Sequence, residues 1–304
     1  MRRLVVSAPH SLAWQDFTLP APPARQARIR TRLSAVSISS ELSVVAGLPG
    51  GSSPTKLGYQ TLGVIEAVGP DVSLQAGQRV VCTLGHASHG NVPVQNLIPV
   101  PHGVSDRTAL CSILGEETHK GLRKLSPQPG EQILIAGAGL LGLLSVFNLT
   151  RRGLDQVTVL EPDPHRRALA LEFGARAAHA PGELPHEQFD VGVECSASPT
   201  GFTELLRHLR RSARCSVLSD GNWGALVLPP EFHSRELTLV ASSDGEDYPA
   251  YAAWLWAHAD PVLEKLFEQV VPVGNLVEVF GNLGTWPRPV SVLVDWRDLE
   301  APDS

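Results

Sequence analysis

The spacing of apolar positions divides the 304-residue chain into a β-rich part and a part in which strands and helices alternate. In residues 1 to about 115, short apolar runs stand between Pro and Gly clusters, and helical periodicity is weak. Such runs are typical of strands joined by turns. We therefore expect a small, barrel-like β domain. Its predicted strands are Arg3–Ser7, Ala27–Ser37, Thr61–Val68, Gln78–Thr83 and Val94–Val100.

From about residue 116 to residue 243, apolar residues recur with the period of buried strands and of helices in turn. This alternation is typical of the α/β class, with a doubly wound parallel sheet between helices. The predicted helices are Thr118–Leu125, a helix capped by Asp163 that ends at Phe173, and Gly201–Arg211. The predicted strands include Phe189–Glu194, Ala213–Leu218 and Glu236–Ala241.

The tail of the chain combines an amphipathic helix, Tyr248–Ala259, with a strand, Val290–Trp296. Because the parallel sheet already has its strands, we expect the tail to return to the first domain. The predicted domains are therefore residues 1–116 together with 244–304, and residues 117–243.

The most informative stretch is a glycine turn, Gly137-Ala138-Gly139-Leu140-Leu141-Gly142, which follows a buried strand, Gln132–Ala136, and opens a helix. This G-x-G-x-x-G pattern in a strand–turn–helix setting predicts a dinucleotide-binding site. The alternative is an ordinary βαβ turn that happens to be rich in glycine.

Each residue of the turn has a separate physical role in this interpretation. Gly137 permits the tight turn, Gly139 permits close approach of a pyrophosphate, and Gly142 permits close packing of the helix on the strand. The backbone N–H groups at the start of the helix, which include those of Leu140 and Leu141, then hold the phosphates.

An acidic residue at the end of the next strand indicates which dinucleotide binds. Glu161 follows the glycine turn by roughly 20 residues, where a carboxylate accepts hydrogen bonds from the adenosine ribose. A carboxylate also repels a 2′-phosphate, so we expect NAD rather than NADP. Arg166 and Arg167 argue for NADP, but we interpret them as solvated or as flanking the adenine. Ser196 follows another strand end and is a further cofactor-binding candidate; the alternative is an ordinary turn serine.

Composition and charge exclude several classes of partner. The net charge is −6 without a basic run, so we expect neither a nucleic acid nor an anionic membrane as partner. No apolar run approaches the roughly 20 residues of a membrane span, and the N-terminus does not resemble a signal peptide. We expect a cytoplasmic protein with a small-molecule substrate. The four cysteines are widely spaced, which indicates neither a disulfide framework nor a zinc knuckle.

Three segments resemble the medium-chain dehydrogenase/reductase superfamily, which contains the zinc alcohol dehydrogenases and the quinone reductases. They are Gly58–Gly69, Gln75–Val81 and Ser234–Leu239, together with the glycine turn. The resemblance covers nearly the whole chain. It implies a GroES-like catalytic domain, a Rossmann domain inserted in it, and a homodimer formed through the sheet edge near Glu236–Ala241.

The chain departs from this superfamily at its zinc sites. Where the resemblance places the catalytic zinc ligands, this sequence has Ser39, Tyr59 and Leu114, which together cannot bind Zn²⁺. The segment Val81–Pro93 is also too short for the superfamily's structural zinc loop. We therefore expect no zinc, and the chain resembles a zinc-lacking subgroup that includes proteins similar to bacteriochlorophyllide a dehydrogenase.

Without zinc, organic side chains must stabilise the reacting oxygen and move a proton. Tyr59 is the first candidate because its phenol can donate to a carbonyl oxygen; alternatively, its ring only fills the volume of the metal. Ser39 and Ser40 can add hydrogen bonds, or they are turn serines that satisfy their own backbone. The resemblance places Thr118 beside the nicotinamide; the alternative, which is compatible with that role, is a helix N-cap.

Several other residues are weaker candidates. Three acids are candidates for a general base: Glu41, Glu116 and Glu117. Alternatively, they are solvated acids in loops. Gln60 is expected near them in the same cleft. Cys82, His86 and His89 have a spacing that is compatible with a metal site, although a polar glycine-rich loop explains them equally well. The aromatic residues Tyr248, Tyr251, Trp254 and Trp256 either line a site for a flat substrate or belong to a core or an interface.

The sequence thus predicts an NAD-dependent oxidoreductase that transfers hydride between nicotinamide and an alcohol/carbonyl pair without a metal. We expect the cleft between the domains to have the glycine turn on one wall and Ser39, Tyr59 and Thr118 on the other. One alternative is an NADPH-linked quinone or enone reductase; another is an inactive nucleotide-binding sensor or structural protein. The substrate is not predicted, because the expected pocket loops, Leu42–Thr55 and Val81–Pro93, carry no readable pattern.

Overall fold

The computed structural model of the protein describes residues 1–47, 54–219 and 225–300. Residues 48–53, which belong to the first expected pocket loop, lie outside the described residues. The chain forms two compact units: unit 1 comprises Met1–Ile113 and Tyr248–Ser304, and unit 2 comprises Leu114–Asp247.

The N-terminal part of unit 1 is rich in strands. Its elements are, in chain order, β1 (Arg2–Ala8), β2 (Ser11–Asp16), β3 (Gln26–Val36), α1 (Ile38–Val45), β4 (Thr55–Lys56), β5 (Gln60–Val68), β6 (Arg79–Cys82), β7 (His89–Pro93), β8 (Ile98–Pro99) and α2 (Asp106–Leu110).

Unit 2 begins just inside the next helix and alternates strands with helices. Its elements are α3 (Ser112–Leu125), β9 (Ile133–Ala136), α4 (Leu140–Thr150), β10 (Val157–Leu160), α5 (Pro164–Glu172), β11 (Ala177–His179), β12 (Phe189–Glu194), α6 (Pro199–His208), β13 (Leu209–Val217), α7 (Pro230–Ser234) and β14 (Thr238–Ala241).

The tail then completes unit 1. Its elements are α8 (Tyr248–Ala257), a 3₁₀ turn (Pro261–Leu266), β15 (Gln269–Pro272), α9 (Leu276–Asn282) and β16 (Val292–Asp295). Strand β16 pairs antiparallel with β3, Val292 lying opposite Val36. The tail and the N-terminal strands thus share one sheet and one compact unit.

Unit 1 is built on the long strand β3, along which buried and partly buried residues alternate up to Thr31 and every residue from Leu33 is buried. Its larger sheet has the order β15-β16-β3-β5-β6-β8, with β7 also paired to β3, and a small sheet has the order β2-β1-β4. The apolar face of β3 and β16 packs against α9 and encloses Trp296. This packing fixes the start of α1, which follows β3 after a single residue.

Unit 2 has a parallel sheet with the strand order β11-β10-β9-β12-β13-β14. All residues of β9 are buried because helices cover both faces of the sheet. The chain builds outward from β9 in both directions, so the strand order reverses between β9 and β12. In such sheets, ligands bind at the carboxyl ends of the strands at this reversal. The predicted α/β class is confirmed, and so are strand Phe189–Glu194 and the Asp163 cap of α5.

Several predicted elements are wrong in extent or kind. The predicted strand Val94–Val100 is a 3₁₀ turn followed by the two-residue strand β8, and the longer strand β7 precedes it. The predicted helix Gly201–Arg211 ends at His208 because β13 begins at the next residue. Helix α1 was not predicted because its serines are typical of turns; its own Glu41 accepts a hydrogen bond from the N-cap N–H of Ser37.

Candidate functional site

The glycine turn lies at the carboxyl end of β9, and close contacts explain two of its glycines. Gly137 has a φ of +93°, and a Cβ there would lie 2.8 Å from the Cα of Ser196. A Cβ at Gly142 would overlap the carbonyl oxygen of Gly137. Any larger residue at either position would push the turn away from the strand end.

Gly139 differs from these two because the space beside it is open. The nearest atom to a Cβ placed there is a guanidinium nitrogen of Arg166, at 3.9 Å. Gly139 is the N-cap of α4, so no side chain at the N-cap bonds the N–H groups of the first turn of the helix, to which Leu140 and Leu141 belong. An open backbone, a helix N-terminus and a nearby cation together fit a pyrophosphate.

The carboxylate of Glu161 points into the glycine turn. One oxygen accepts from the N–H of Ala138 at 2.7 Å and the other from the N–H of Asp163 at 2.9 Å. The residue is only 3% exposed. Because each carboxylate oxygen has two lone pairs, both oxygens keep the capacity to accept a ribose hydroxyl.

The interpretation of these arginines of α5 as solvated is wrong for Arg166, whereas Arg167 is half-buried. Arg166 is buried and its guanidinium lies at Gly139. Arg167 donates to the carbonyl oxygens of Glu161 at 2.8 Å and Pro162 at 2.7 Å. Arg167 therefore holds the backbone at the end of β10, whereas Arg166 adds positive charge to the cradle for the phosphates.

Ser196 faces the glycine turn through its backbone, and its side chain is bonded locally. Its Oγ donates to the buried carboxylate of Glu194 at 2.6 Å, and its N–H donates to the same oxygen at 2.7 Å. Ser196 Oγ in turn accepts from the N–H of Ser198 at 3.2 Å. The structure thus gives Ser196 a defined place next to Gly137, where its backbone limits the size of the turn.

Thr118 lies in the middle of α3, so its interpretation as a helix N-cap is wrong. Its hydroxyl donates to the carbonyl of Gly115 at 2.8 Å and accepts from the amide of Asn148 at 2.7 Å. The residue is fully buried. Thr118 therefore ties α3 to α4 within unit 2.

The acids of α3 are not loop residues either. Glu116 is buried and accepts from the N–H groups of Glu246 at 3.2 Å and Asp247 at 3.1 Å. Arg123 contributes a longer contact to the same carboxylate oxygen. Glu116 anchors this segment of unit 2, and Glu117 follows it in the same helix.

In unit 1, hydroxyl groups gather at the start of α1 and form what we call the serine–tyrosine cluster: Ser37, Ser39, Ser40 and Tyr59. Ser39 and Ser40 lie in the first turn of the helix, so their interpretation as turn serines is wrong. The Tyr59 hydroxyl lies 3.4 Å from Ser40 Oγ, which lies 3.3 Å from Ser37 Oγ. A guanidinium nitrogen of Arg288 lies 3.4 Å from Ser39 Oγ.

A buried pair lies directly behind this cluster. Glu41 accepts from His86 Nε2 at 2.9 Å, and Ser34 Oγ lies 2.8 Å from His86 Nδ1. The indole of Trp296 donates to the same Ser34 oxygen at 2.8 Å. Glu41 and His86 are almost completely buried, so Glu41 is not a solvated loop acid. Gln60, the remaining candidate, is also buried and lies 3.5 Å from the carbonyl of Ala35.

These contacts decide whether the residues fit a metal. Both ring nitrogens of His86 are already hydrogen-bonded, one to Ser34 and one to Glu41. Burial raises the pKa of the Cys82 thiol to about 12. Burial also lowers the pKa of His89. Within the described residues, no group of three or more His, Cys, Asp or Glu side chains is arranged to hold a metal. Of the three residues at which the superfamily resemblance places the zinc ligands, Ser39 and Tyr59 offer only hydroxyls and Leu114 is a buried aliphatic side chain. This donor set does not fit Zn²⁺.

Two of the aromatic residues of α8, Tyr251 and Trp254, contact each other. Trp254 stacks on His258 with ring centroids 4.9 Å apart, and its ring centroid lies 5.7 Å from that of the buried Tyr251.

Among the helices that the structure describes, none combines the length and apolar character that crossing a membrane requires.

The known proteins to which this chain is similar in sequence include dehydrogenases. The chain is 27% identical over 207 residues to the L-threonine 3-dehydrogenase of a Marinomonas species, a match covering 54% of this chain and 60% of that protein. It is 25% identical over 269 residues to the L-threonine 3-dehydrogenase of an Anaeromyxobacter species, covering 72% and 77%. The chain thus spans less than two thirds of the first of these relatives. No family model matches the chain.

Solved structures share the fold over almost the full chain. Galactitol-1-phosphate dehydrogenase from Escherichia coli has a TM-score of 0.85 at 17% identity, covering 97% of this chain and all of that one. A dehydrogenase from Sinorhizobium meliloti 1021, described as zinc-binding and bound to NADP, has a TM-score of 0.86 at 16% identity, covering 97% and 99%. An Escherichia coli alcohol dehydrogenase complexed with NADH scores 0.84 at 18%, with the same coverage. The chain therefore has the GroES-like and Rossmann fold of the zinc-type medium-chain alcohol dehydrogenases.

Proposed function

We propose that this protein is an NAD-dependent dehydrogenase that acts on an alcohol/carbonyl pair and does so without zinc. The observation that carries the proposal is the pairing of Tyr59 with Ser40, at the position where the superfamily resemblance places a metal. The dehydrogenase relatives support the class of reaction. The choice of NAD and the absence of zinc are our inference from the side chains.

The glycine turn and its neighbours supply the cofactor site. The open backbone at Gly139 and the guanidinium of Arg166 would hold the pyrophosphate. The carboxylate of Glu161 would accept from the ribose and disfavour a 2′-phosphate, which is the basis for proposing NAD. Solved neighbours contain either NADP or NADH, so this preference rests on Glu161 alone.

The serine–tyrosine cluster supplies the polar groups for the reacting oxygen. A nicotinamide cofactor, when bound, would supply or accept the hydride. In the reducing direction the carbonyl carbon gains that hydride, the C=O π bond breaks, and the oxygen takes a proton from the Tyr59 hydroxyl. Ser40, 3.4 Å from that hydroxyl, orients it, and Tyr59 regains its proton from solvent. A donor aimed at the oxygen on which charge develops performs the task that zinc performs as a Lewis acid.

We infer zinc independence from the chemistry of the donor set and not from the structural neighbours, one of which is described as zinc-binding. Neutral hydroxyls and a leucine do not form the nitrogen, sulfur or carboxylate tetrahedron of a stable zinc site. His86 and Glu41, two residues of unit 1 whose side chains are of a suitable type, are already bonded to each other.

We also propose a homodimer that forms through β14. This strand lies at one edge of the parallel sheet, its two end residues are exposed and its two central residues partly buried. An edge strand has backbone groups that can pair with a second copy of the same strand. Light scattering after size exclusion should give twice the mass of one chain.

The reaction is tested by stopped-flow NADH oxidation with a panel of aldehydes, ketones, quinones and enones. We expect turnover with aldehydes or ketones and with NADH in preference to NADPH. Turnover only with quinones or enones would contradict the proposed alcohol/carbonyl reaction and favour a quinone or enone reductase. NADH binding without turnover of any class would favour a sensor and contradict the proposal.

A further inference from the structure

Glu194 is the last residue of β12, and it lies where the strand order of the unit 2 sheet reverses. Its backbone is paired with Ala136, the residue that precedes the glycine turn. The next residue along the chain, Cys195, donates its N–H to the carbonyl oxygen of Ala136 at 2.9 Å. Glu194 is 0% exposed, and a carboxylate is buried at a cost in free energy unless it accepts strong hydrogen bonds.

The hydrogen bonds that this carboxylate accepts come from one neighbouring residue in particular. Ser196 donates to one of its oxygens twice, from Oγ at 2.6 Å and from the backbone N–H at 2.7 Å. Hydrogen bonds to a charged acceptor are shorter and stronger than those between neutral groups. Glu194 therefore fixes both the backbone and the side chain of Ser196.

Ser196 packs directly between the glycine turn and α6. A Cβ at Gly137 would lie 2.8 Å from the Ser196 Cα and 2.9 Å from its backbone nitrogen. A Cβ at Gly201, in the first turn of α6, would overlap the Ser196 Oγ. Because both neighbours are glycines, Ser196 lies against the backbone on each side and supports the first residue of the glycine turn.

The residue after Ser196 has a strained backbone. Ala197 has a φ of +55°, in the left-handed region that is unfavourable for a residue with a Cβ. Such a conformation persists where the surrounding structure fixes it. The N–H of Ser198 donates to the Ser196 Oγ at 3.2 Å, and the same Oγ donates to Glu194. The carboxylate thus anchors a chain of hydrogen bonds that spans the strained residue.

We propose that Glu194 is a positioning residue of the cofactor site: its carboxylate holds Ser196 as a fixed support beside Gly137 and so keeps the glycine turn in the shape that binds a pyrophosphate. This proposal rests on the proposed function, because it takes the glycine turn to be the dinucleotide site. Glu194 acts through Ser196 and not by contact with the cofactor. A turn that is already ordered loses less entropy on binding, so the loss of its support should weaken cofactor affinity.

Hydrogen–deuterium exchange of the full-length protein tests the support without any cofactor. We expect Glu194→Ala to raise the exchange rates of the backbone amides of residues 137–142 at least about tenfold, because the unsupported turn opens more often. Glu194→Gln keeps an oxygen that can accept from Ser196, so its effect should be smaller. Ser196→Ala removes one of the two hydrogen bonds and leaves the carboxylate in place. It should also raise these rates, and it decides the question if Glu194→Ala does not fold.

Fluorescence titration with NADH measures the effect on the cofactor. We expect Glu194→Ala to weaken NADH binding at least about tenfold and Glu194→Gln to weaken it less. The matched control is Glu116→Ala, because Glu116 is also buried in unit 2 and also accepts two hydrogen bonds, from the N–H groups of Glu246 and Asp247. Glu116→Ala should lower the stability in urea and leave both the NADH affinity and the exchange of residues 137–142 unchanged.

Exchange rates of the glycine turn that stay at the wild-type value in Glu194→Ala and Ser196→Ala would overturn the proposal. Faster exchange with unchanged NADH affinity would also overturn it, because the support would then not matter to the cofactor. Equal changes in Glu116→Ala would do the same, since the loss of any buried carboxylate would then loosen unit 2. A wild-type protein that binds no NADH, but whose glycine turn loosens in Glu194→Ala, would contradict the proposed function and leave the hold of Glu194 on the turn intact.

Discussion

The glycine turn of unit 2 and the serine–tyrosine cluster of unit 1 are held in place by different parts of the chain. The glycine turn is shaped by backbone contacts between strand ends, such as that of Gly137 with Ser196. The cluster is shaped by side chains that meet from three distant segments, with Tyr59 reaching Ser40 and Arg288 reaching Ser39. A backbone-shaped site tolerates almost no added volume, whereas a side-chain site can change its chemistry one residue at a time.

This difference explains why the glycine turn follows the pattern of other dehydrogenases while the residues at the expected zinc-ligand positions depart from it. The glycine turn has the residue pattern expected of a dinucleotide site, while the expected metal position has only hydroxyls and a leucine. We infer that the backbone fixes the glycine turn of unit 2, whereas the side chains of the cluster in unit 1 are able to vary.

The largest effect should come from adding a methyl group to the glycine turn. We expect Gly142→Ala to weaken NADH binding about a hundredfold and to destabilise unit 2 by about 1–3 kcal/mol, because the Cβ overlaps the Gly137 carbonyl. Fluorescence titration and urea unfolding measure both. The control is Gly281→Ala in α9, where no atom lies within 4 Å of the added Cβ. Normal NADH binding by Gly142→Ala would show that the turn is not the cradle.

The second-largest effect should be on the rate of the chemical step and not on cofactor binding. We expect Tyr59→Phe to lower kcat roughly a hundredfold with NADH affinity unchanged, because only the hydroxyl that donates to the oxygen is lost. Steady-state rates and a separate NADH titration distinguish the two quantities. If kcat were unaltered, the Tyr59 ring would only fill space, as the alternative interpretation of the sequence has it.

A smaller effect should appear in the affinity for the cofactor, through the contact with its adenosine ribose. We expect Glu161→Gln to weaken NADH binding about tenfold and to leave NADPH binding unchanged or stronger, because the charge that repels a 2′-phosphate is removed. Competitive titration of the two cofactors measures their ratio. Glu278→Gln, which changes an exposed acid of α9, serves as control. A ratio that does not move would mean that Glu161 does not select the cofactor.

The smallest effect should concern the scaffold alone. Arg214 lowers the pKa of Glu131, with which it forms an ion pair at the base of the unit 2 sheet. A lowered carboxyl pKa contributes stability above its unfolded value of about 4.5, and this stability is lost as the pH falls through the folded value. We expect Glu131→Gln to cost about 0.5 kcal/mol at pH 7 and nothing at the acid end, with NADH affinity constant. Urea unfolding from pH 7 to pH 3 measures this, and a cost independent of pH would contradict it.

Unit 2 could be predicted closely from the sequence because its signals are local. The glycine spacing, the Asp163 cap and the continuous apolar run of strand Phe189–Glu194 all lie within a few residues of the structure that they determine. The Arg166 guanidinium was not predicted at Gly139, because a side chain on one helix gives no sign of the turn it will reach.

Unit 1 was predicted less well because its structure depends on long-range contacts. Helix α1 has a serine-rich start, and its position is set by β3 and by the Glu41–His86 bond across 45 residues. The bond between Arg288 and Ser39 spans 249 residues, and only the pairing of β16 with β3 brings the two together. A charged residue close to the predicted return strand was the single available signal for Arg288.

The metal content of the active protein tests the central claim most directly. Zinc should be measured by mass spectrometry in protein that is purified without added metal, and turnover should be measured before and after dialysis against a strong chelator. We predict far less than one zinc per chain and unchanged turnover in the wild type, with kcat lowered roughly a hundredfold in Tyr59→Phe. One zinc per chain, whose removal abolishes turnover and whose return restores it, would contradict the account.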